Sequence, residues 1–148
     1  MPATTKPIVR EIEIDATPET VFEFFTDPEK LTRWLAVEAT IDPRPGGVNH
    51  QTHVADDGTR HLLRGEFVEV EPPSRVVFTW GFEGGEFAPP GSSTVEVTLE
   101  PSGDGTALRL VHSGLPAESI DDHSAGWTTM LDRLAQAATA PTSAEATR

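Results

Sequence analysis

Histidine is the side chain in this sequence best suited to acid–base or metal chemistry, since the chain holds five histidines and no cysteine. His50 and His53 are three residues apart in a stretch with strand character, so their side chains should lie on opposite faces. One should face the interior and the other water, and the two cannot bind one metal ion together. His61 follows a turn and is expected to be exposed. The sequence therefore predicts no metal site and no bound cofactor.

His112 and His123 are expected to point inward and to lie near each other. His112 shares a strand face with Leu108 and Leu110, and His123 is four residues before Trp127, on the same helix face. Two roles are open for this pair. In the first, the pair performs chemistry. In the second, each imidazole hydrogen-bonds a backbone carbonyl and fixes the junction of strand and helix. We favour the second.

The remaining polar groups offer less chemistry. Glu66 and Glu96 lie in predicted strands and would act as a general base only if they were buried. No serine follows the pattern of a nucleophile elbow, and the glycine pairs at 46–47 and 84–85 are typical of turns. No catalytic residue is assigned on these grounds.

Aromatic side chains are the clearest indication of a binding site. Trp34, Trp80 and Phe87 belong to segments expected near the mouth of a cavity, where ligand contact and packing are equally expected. Phe78 is expected in the core. The residues predicted to contact or border a ligand are Trp34, His50, Phe67, Trp80, Phe82, Phe87, His112, His123, Trp127, Met130 and Leu131.

Periodicity and turn residues predict the elements that must position these side chains. Residues 8–14 alternate as a strand, and Thr17-Pro18 and Asp27-Pro28 each begin a short helix. From residue 36 to 113, alternating stretches separated by turn residues indicate strands joined by hairpins. Residues 83–92, rich in glycine and proline, form a predicted loop.

The last predicted element is a long helix. Trp127, Met130, Leu131 and Leu134 follow helical spacing, and Ser119 is expected to cap the helix at its beginning. An antiparallel sheet has one face to bury, and this helix is the large element able to cover it.

These elements predict an α+β domain of helix-grip architecture. A curved antiparallel sheet of about seven strands would wrap around the C-terminal helix, with two short helices after the first strand. The second short helix and the loop 83–92 would border a cavity of about 300–1,000 Å³. The domain is expected to span residues 8–138, with flexible tails at 1–7 and 139–148.

Charge and composition limit the partners. With 24 acidic and 11 basic residues the net charge is −13, which disfavours nucleic acids and anionic membrane surfaces. The first residues carry no apolar segment, so a cytoplasmic location is expected. A homodimer is left open by the sequence.

Several stretches together resemble the bacterial homologues of the activator of the 90-kDa heat-shock protein ATPase, within the START-like (SRPBCC) superfamily. The resemblance covers roughly residues 8–138 and depends on the order and spacing of its parts. Those parts are Ala16-Thr17-Pro18, Val21-Phe22, Thr26 to Leu31, Trp34, Pro45-Gly46-Gly47, Asp57-Gly58, Gly65 to Pro73, Arg75 to Trp80, Gly105-Thr106, His112 to Pro116, His123 and Gly126-Trp127.

The resemblance implies the same helix-grip fold and an internal pocket for a small hydrophobic or amphipathic molecule, with no catalysis by default. One superfamily hosts several functions, so two alternatives stay open. The first is an enzyme of cyclase or hydrolase type that uses a histidine or carboxylate in the pocket. The second is a stress-related protein-interaction module.

Overall fold

The structure, a computed structural model, describes residues 6–55, 57–83 and 93–139. Phe87, most of the predicted loop 83–92 and most of the two predicted tails lie outside the described residues. The described elements, in chain order, are β1 (Ile8–Ile14), α1 (Pro18–Thr26), α2 (Pro28–Leu31), β2 (Glu38–Ile41), β3 (Val48–Val54), β4 (Arg60–Glu71), β5 (Arg75–Trp80), β6 (Ser93–Ser102), β7 (Gly105–Ser113) and α3 (Ala117–Thr139).

The strands form a seven-stranded antiparallel sheet in the order β1-β7-β6-β5-β4-β3-β2. Helix α3 packs on its inner face with Trp127, Leu131 and Leu134, each at most 1% exposed. Met130, predicted on the same face, is partly buried against this core. The predicted helix-grip architecture is therefore confirmed. No described helix is long and apolar enough to cross a membrane.

Strand β4 divides the sheet into two parts. Its residues 60–66 pair with β3, whereas residues 67–71 pair with β5, and a bulge lies between Phe67 and Glu69. Gly65 lies at the division, where an added Cβ would come within 2.3 Å of the carbonyl oxygen of Thr79. The close approach of these two backbones requires glycine. We call β3 and the 60–66 segment of β4 the outer hairpin.

The two short helices begin where the sequence predicts. Thr17 caps α1 by accepting the N–H of Thr20 at 3.3 Å, and Asp27 caps α2 by accepting the N–H of Glu29 at 2.9 Å. Helix α3 differs, because it begins at Ala117 and the predicted cap, Ser119, lies inside its first turn. The N–H of Ser119 donates to the carbonyl oxygen of Pro116 at 2.9 Å, so the helix begins directly after the proline.

Candidate functional site

Four aromatic rings from three elements pack together where α3 crosses the inner face of the sheet. Trp80 comes from β5, His112 from β7, and His123 and Trp127 from α3. The ring centroids of Trp80 lie 5.2 Å from Trp127 and 5.5 Å from His112, and the two imidazoles are 5.3 Å apart. All four side chains are buried. We call this group the Trp–His cluster.

Hydrogen bonds fix the tautomer of His112. The indole Nε1 of Trp127 lies 2.9 Å from His112 Nδ1, and because an indole nitrogen only donates, Nδ1 must be the acceptor. The proton of the neutral imidazole is therefore on Nε2, which lies 2.9 Å from the Oγ of Ser93. Ser93 in turn donates to the carbonyl oxygen of Trp80 at 2.8 Å. The chain of bonds ends on the backbone.

His123 is held in the opposite tautomer by the same logic. Trp80 donates its indole N–H to His123 Nε2 at 3.2 Å, so the imidazole proton is on Nδ1. Nδ1 donates to the carbonyl oxygen of Ser119 at 2.9 Å. Each tryptophan of the cluster thus binds a histidine on another element, and the two bonds link the sheet to α3 in both directions.

Burial keeps both imidazoles neutral. It is the main cause that lowers the pKa of His112 from 6.5 to about 3, and the neighbouring His123 adds to the effect. Burial also lowers the pKa of His123, against smaller opposing effects of the Ser119 carbonyl and Asp122. Protonation of either ring would place an N–H against an indole N–H. The hydrogen-bond geometry and the lowered pKa values therefore both indicate neutral imidazoles.

The Ser93–His112 pair has the distance of a nucleophile and its base, but its proton arrangement is wrong for that role. The imidazole nitrogen that faces Ser93 carries the proton, so it cannot accept the proton of the hydroxyl. The pair therefore holds strand β6 to β7. We expected each of the two imidazoles to hydrogen-bond a backbone carbonyl. His123 does so, whereas His112 hydrogen-bonds two side chains.

A row of polar side chains runs along the inner face of β3. The Nε2 of Gln51 donates to Asn49 Oδ1 at 2.9 Å, and Gln51 Oε1 accepts from His53 Nε2 at 2.8 Å. Asn49 and Gln51 are each 2% exposed. His53 at the end of the row contacts the rings of Trp80 and Phe82, with centroids 5.5 and 5.7 Å away.

An apolar pocket of about 220 Å³ opens beside the Trp–His cluster, between the outer hairpin and α3. Only a small part of its wall is polar, and His61, predicted to be exposed, is half-buried there. Burial is the main cause that lowers the pKa of His53 in this wall to about 4. The walls include Trp80, Phe82, Gly126, Met130 and three histidines, His53, His61 and His123.

A second hollow adjoins the pocket. This groove, of about 420 Å³, runs between the segment 32–37 and α3, and it shares His53, Val54 and Met130 with the apolar pocket. Trp34 borders the groove, but its ring is buried against Phe25, and its Nε1 donates to the carbonyl of Phe24 at 2.9 Å. Pocket and groove are therefore neighbours with three lining residues in common.

The structure brings some of the predicted ligand-contact residues together and separates others. Trp80, Phe82, His123 and Met130 line the apolar pocket. His112 and Trp127 lie behind it, bonded to each other, and Phe67 and Leu131 are buried elsewhere in the core. His50 is on the opposite face of β3 from the polar row, and Phe87 is outside the described residues.

Sequence reasoning missed six residues that line the pocket, among them His53, His61 and Gly126. A glycine near the middle of a 23-residue helix was the available signal for the third. The alternation of Asn49, Gln51 and His53 on one strand face was the signal for the first.

The carboxylates considered as general bases lie away from the pocket. Glu66 is exposed, and Glu96 pairs with Arg75, which also binds Glu69 at 2.9 Å on the outer side of the sheet. These two bonds raise the pKa of Arg75. Within residues 6–55, 57–83 and 93–139, no three histidine or acidic side chains are grouped to hold a metal ion.

Comparison with known proteins adds a family and several similar folds. The family model described as "Activator of Hsp90 ATPase homolog 1-like protein" matches residues 15–139. An AHSA1-like protein from Rhizobium etli, solved by NMR, is 42% identical, with a TM-score of 0.69 and coverage of 93% of this chain and 84% of the other.

Two crystal structures are also similar. CalU16 from Micromonospora echinospora is 30% identical, with a TM-score of 0.70 and coverage of 90% of this chain and 76% of the other. Protein CV1439 from Chromobacterium violaceum is 28% identical, with a TM-score of 0.76 and coverage of 88% and 94%. No protein of curated function matches the chain.

Proposed function

The chain belongs to the Activator of Hsp90 ATPase homolog 1-like protein family, and on that premise we propose that it is a non-catalytic binder of a small hydrophobic or amphipathic molecule. The START-like fold is of a generally ligand-binding kind. The finer assignment, that the apolar pocket beside the Trp–His cluster is the binding site, is our proposal.

Gly126 is the observation that carries this proposal. Glycine inside a helix lowers stability by about 1 kcal/mol relative to alanine. A Cβ added at Gly126 would meet only the terminal methyl of Met130, at 3.6 Å, which is an ordinary contact. Packing therefore does not require glycine here. The absence of a side chain at Gly126 leaves free volume in the wall of the pocket.

The remaining walls suit an apolar ligand. The rings of Phe82 and Trp80 border the pocket, and burial of apolar ligand surface contributes about 25 cal/mol per Å². Met130 is half-buried and unbranched, so its side chain can adjust to ligands of different shape.

The protonation of the histidines supports binding over catalysis. A general base works best with a pKa near the working pH, and the pKa of His53 is about 4. His112 and His123 accept indole N–H bonds with their unprotonated nitrogens. In this arrangement His53 Nδ1, which has no hydrogen-bond partner among the described residues, can accept a bond from a ligand hydroxyl.

A titration that uses tryptophan emission and melting temperature tests the proposal. The panel consists of fatty acids, long-chain alcohols, flavonoids and polycyclic aromatics. We expect at least one class to change the emission of the chain, because Trp80 lines the pocket, and to raise the melting temperature with concentration.

Gly126→Leu places a side chain in the pocket and should abolish this binding. Ala125→Leu is the matched control, because Ala125 is exposed on the same helix and the substitution adds similar bulk outside the pocket. The proposal is wrong if no compound binds, or if Gly126→Leu binds as well as the parent protein.

A further inference from the structure

The groove that adjoins the apolar pocket has a charge opposite to that of the chain. Arg33, from the turn after α2, and Arg133, from α3, both line it. None of the described residues that line the groove is acidic, although the chain has 24 acidic residues against 11 basic ones. Two positive charges thus lie together in a molecule of net charge −13.

Both arginines are available to a ligand. Most other basic side chains in the described part of the chain bind a carboxylate, as Arg64 binds Glu83 and Arg109 binds Glu11. Among the described residues, neither Arg33 nor Arg133 has a carboxylate in ion-pair contact or a side-chain hydrogen-bond partner. Their guanidinium groups present donors suited to a planar oxyanion.

The apolar pocket and the groove meet at His53, Val54 and Met130. A molecule with its apolar body between Phe82 and Gly126 can therefore extend past Met130 toward the two arginines. Resting on the proposed function, we infer that the ligand is an amphipathic organic acid. Its carboxylate lies between Arg33 and Arg133, and its apolar body fills the pocket.

The negative net charge of the protein makes a preference for an acid over its neutral analogue distinctive. The net charge of −13 repels any anion, so an acid can bind more tightly than its neutral analogue only through a local contact. Charge-assisted bonds between guanidinium and carboxylate provide such a contact. The same fold with the groove arginines removed should prefer the neutral compound.

The test compares three compounds with the same apolar body: decanoic acid, decanol and decyl sulfate. Isothermal titration at pH 7.5 measures each against the parent protein, the double variant Arg33→Gln/Arg133→Gln, and the control Arg109→Gln. Arg109 is exposed and pairs with Glu11 on β1, away from the groove, so the control removes an arginine charge without touching the site.

We expect the parent and the control to bind decanoic acid about tenfold more tightly than decanol, and the double variant to reverse the order. Tight binding of decyl sulfate as well would show that the arginines accept any oxyanion head, with the same conclusion for an amphipathic acid. Equal binding of acid and alcohol by the parent would overturn this inference and leave the proposed function intact. No binding of any of the three, together with no hit in the broader panel, would overturn the proposed function itself.

Discussion

The indole nitrogen of Trp127 lies 2.9 Å from Nδ1 of His112, and this bond joins α3 to β7 inside the core. A second bond of the same type joins Trp80 of β5 to His123 of α3 at 3.2 Å. Both bonds exist only while the imidazoles are neutral. The attachment of the helix to the sheet is therefore sensitive to protonation.

Stability should fall in mild acid. His112 has a pKa of about 3 in the folded protein and an ordinary value of 6.5 when unfolded. The unfolded chain therefore binds the proton first, so this contribution is complete above pH 6.5 and is lost as the pH falls toward 3. Its slope is at most about 1.4 kcal/mol per pH unit. Urea unfolding at intervals between pH 7 and 4 measures it.

His112→Asn is the variant that isolates this effect from the titration of carboxylates. The side-chain oxygen of asparagine can take the place of Nδ1 and accept from Trp127, but it does not titrate. The variant should be less stable than the parent at pH 7, because the bond to Ser93 is lost. The difference should shrink as the pH falls. A stability difference that stays constant with pH would contradict the assignment of a neutral imidazole to His112 in the folded protein.

Trp127→Phe should raise the pKa of His112. The substitution removes the N–H that a protonated Nδ1 would oppose, while burial still holds the value below 6.5. NMR titration of the imidazole nitrogens measures the pKa directly. Trp34→Phe is the control, since it also removes a buried indole bond, to the carbonyl of Phe24 away from the cluster. An unchanged pKa in Trp127→Phe would show that the bond does not set the protonation state.

Gly126→Ala should stabilise the protein by about 0.5–1 kcal/mol. Alanine is the better helix residue, and its methyl group has room beside Met130. The reverse change at the neighbouring exposed position, Ala125→Gly, should destabilise by a similar amount. Chemical denaturation of the two variants gives both values. A loss of stability in Gly126→Ala would mean that the wall of the pocket is packed more tightly than the structure has it.

Leu134→Ala should cost about 2–5 kcal/mol, because the side chain is fully buried between α3 and the sheet. Asp132→Ala on the same helix is the control, since Asp132 is exposed and its removal should change stability by no more than about 0.5 kcal/mol. Urea unfolding of both variants is the measurement. Similar losses of stability in the two variants would mean that the face of α3 assigned to the core is wrong.

Local signals in the sequence were sufficient for much of the fold. Thr17-Pro18 and Asp27-Pro28 combine a capping side chain with a proline at the first helical position, and neither depends on distant contacts. The spacing of Trp127, Leu131 and Leu134 identified the buried face of α3 in the same way. The beginning of α3 was wrong by three residues because Pro116 already supplies the acceptor for the first turn.

The site was harder to predict because its geometry comes from pairs that are distant in sequence. Hydropathy favours valine inside, yet on β3 the inner face carries Asn49, Gln51 and His53, while Val48 and Val54 are 42% and 41% exposed. The side chains of the row hydrogen-bond one another, which lowers the penalty for burial. Local patterns cannot show that kind of compensation.

The change of partner strand along β4, between residues 66 and 67, separates the part of the molecule that must stay fixed from the part that can change. Strands β5 and β7 with α3 carry the Trp–His cluster, whereas the outer hairpin buries Leu63 and provides one wall of the pocket. Substitutions at positions 53 and 61 would reshape that wall, and neither side chain is a partner in the indole bonds behind it. The same scaffold can therefore acquire new ligands by small steps in one hairpin, and directed evolution of this protein should begin there.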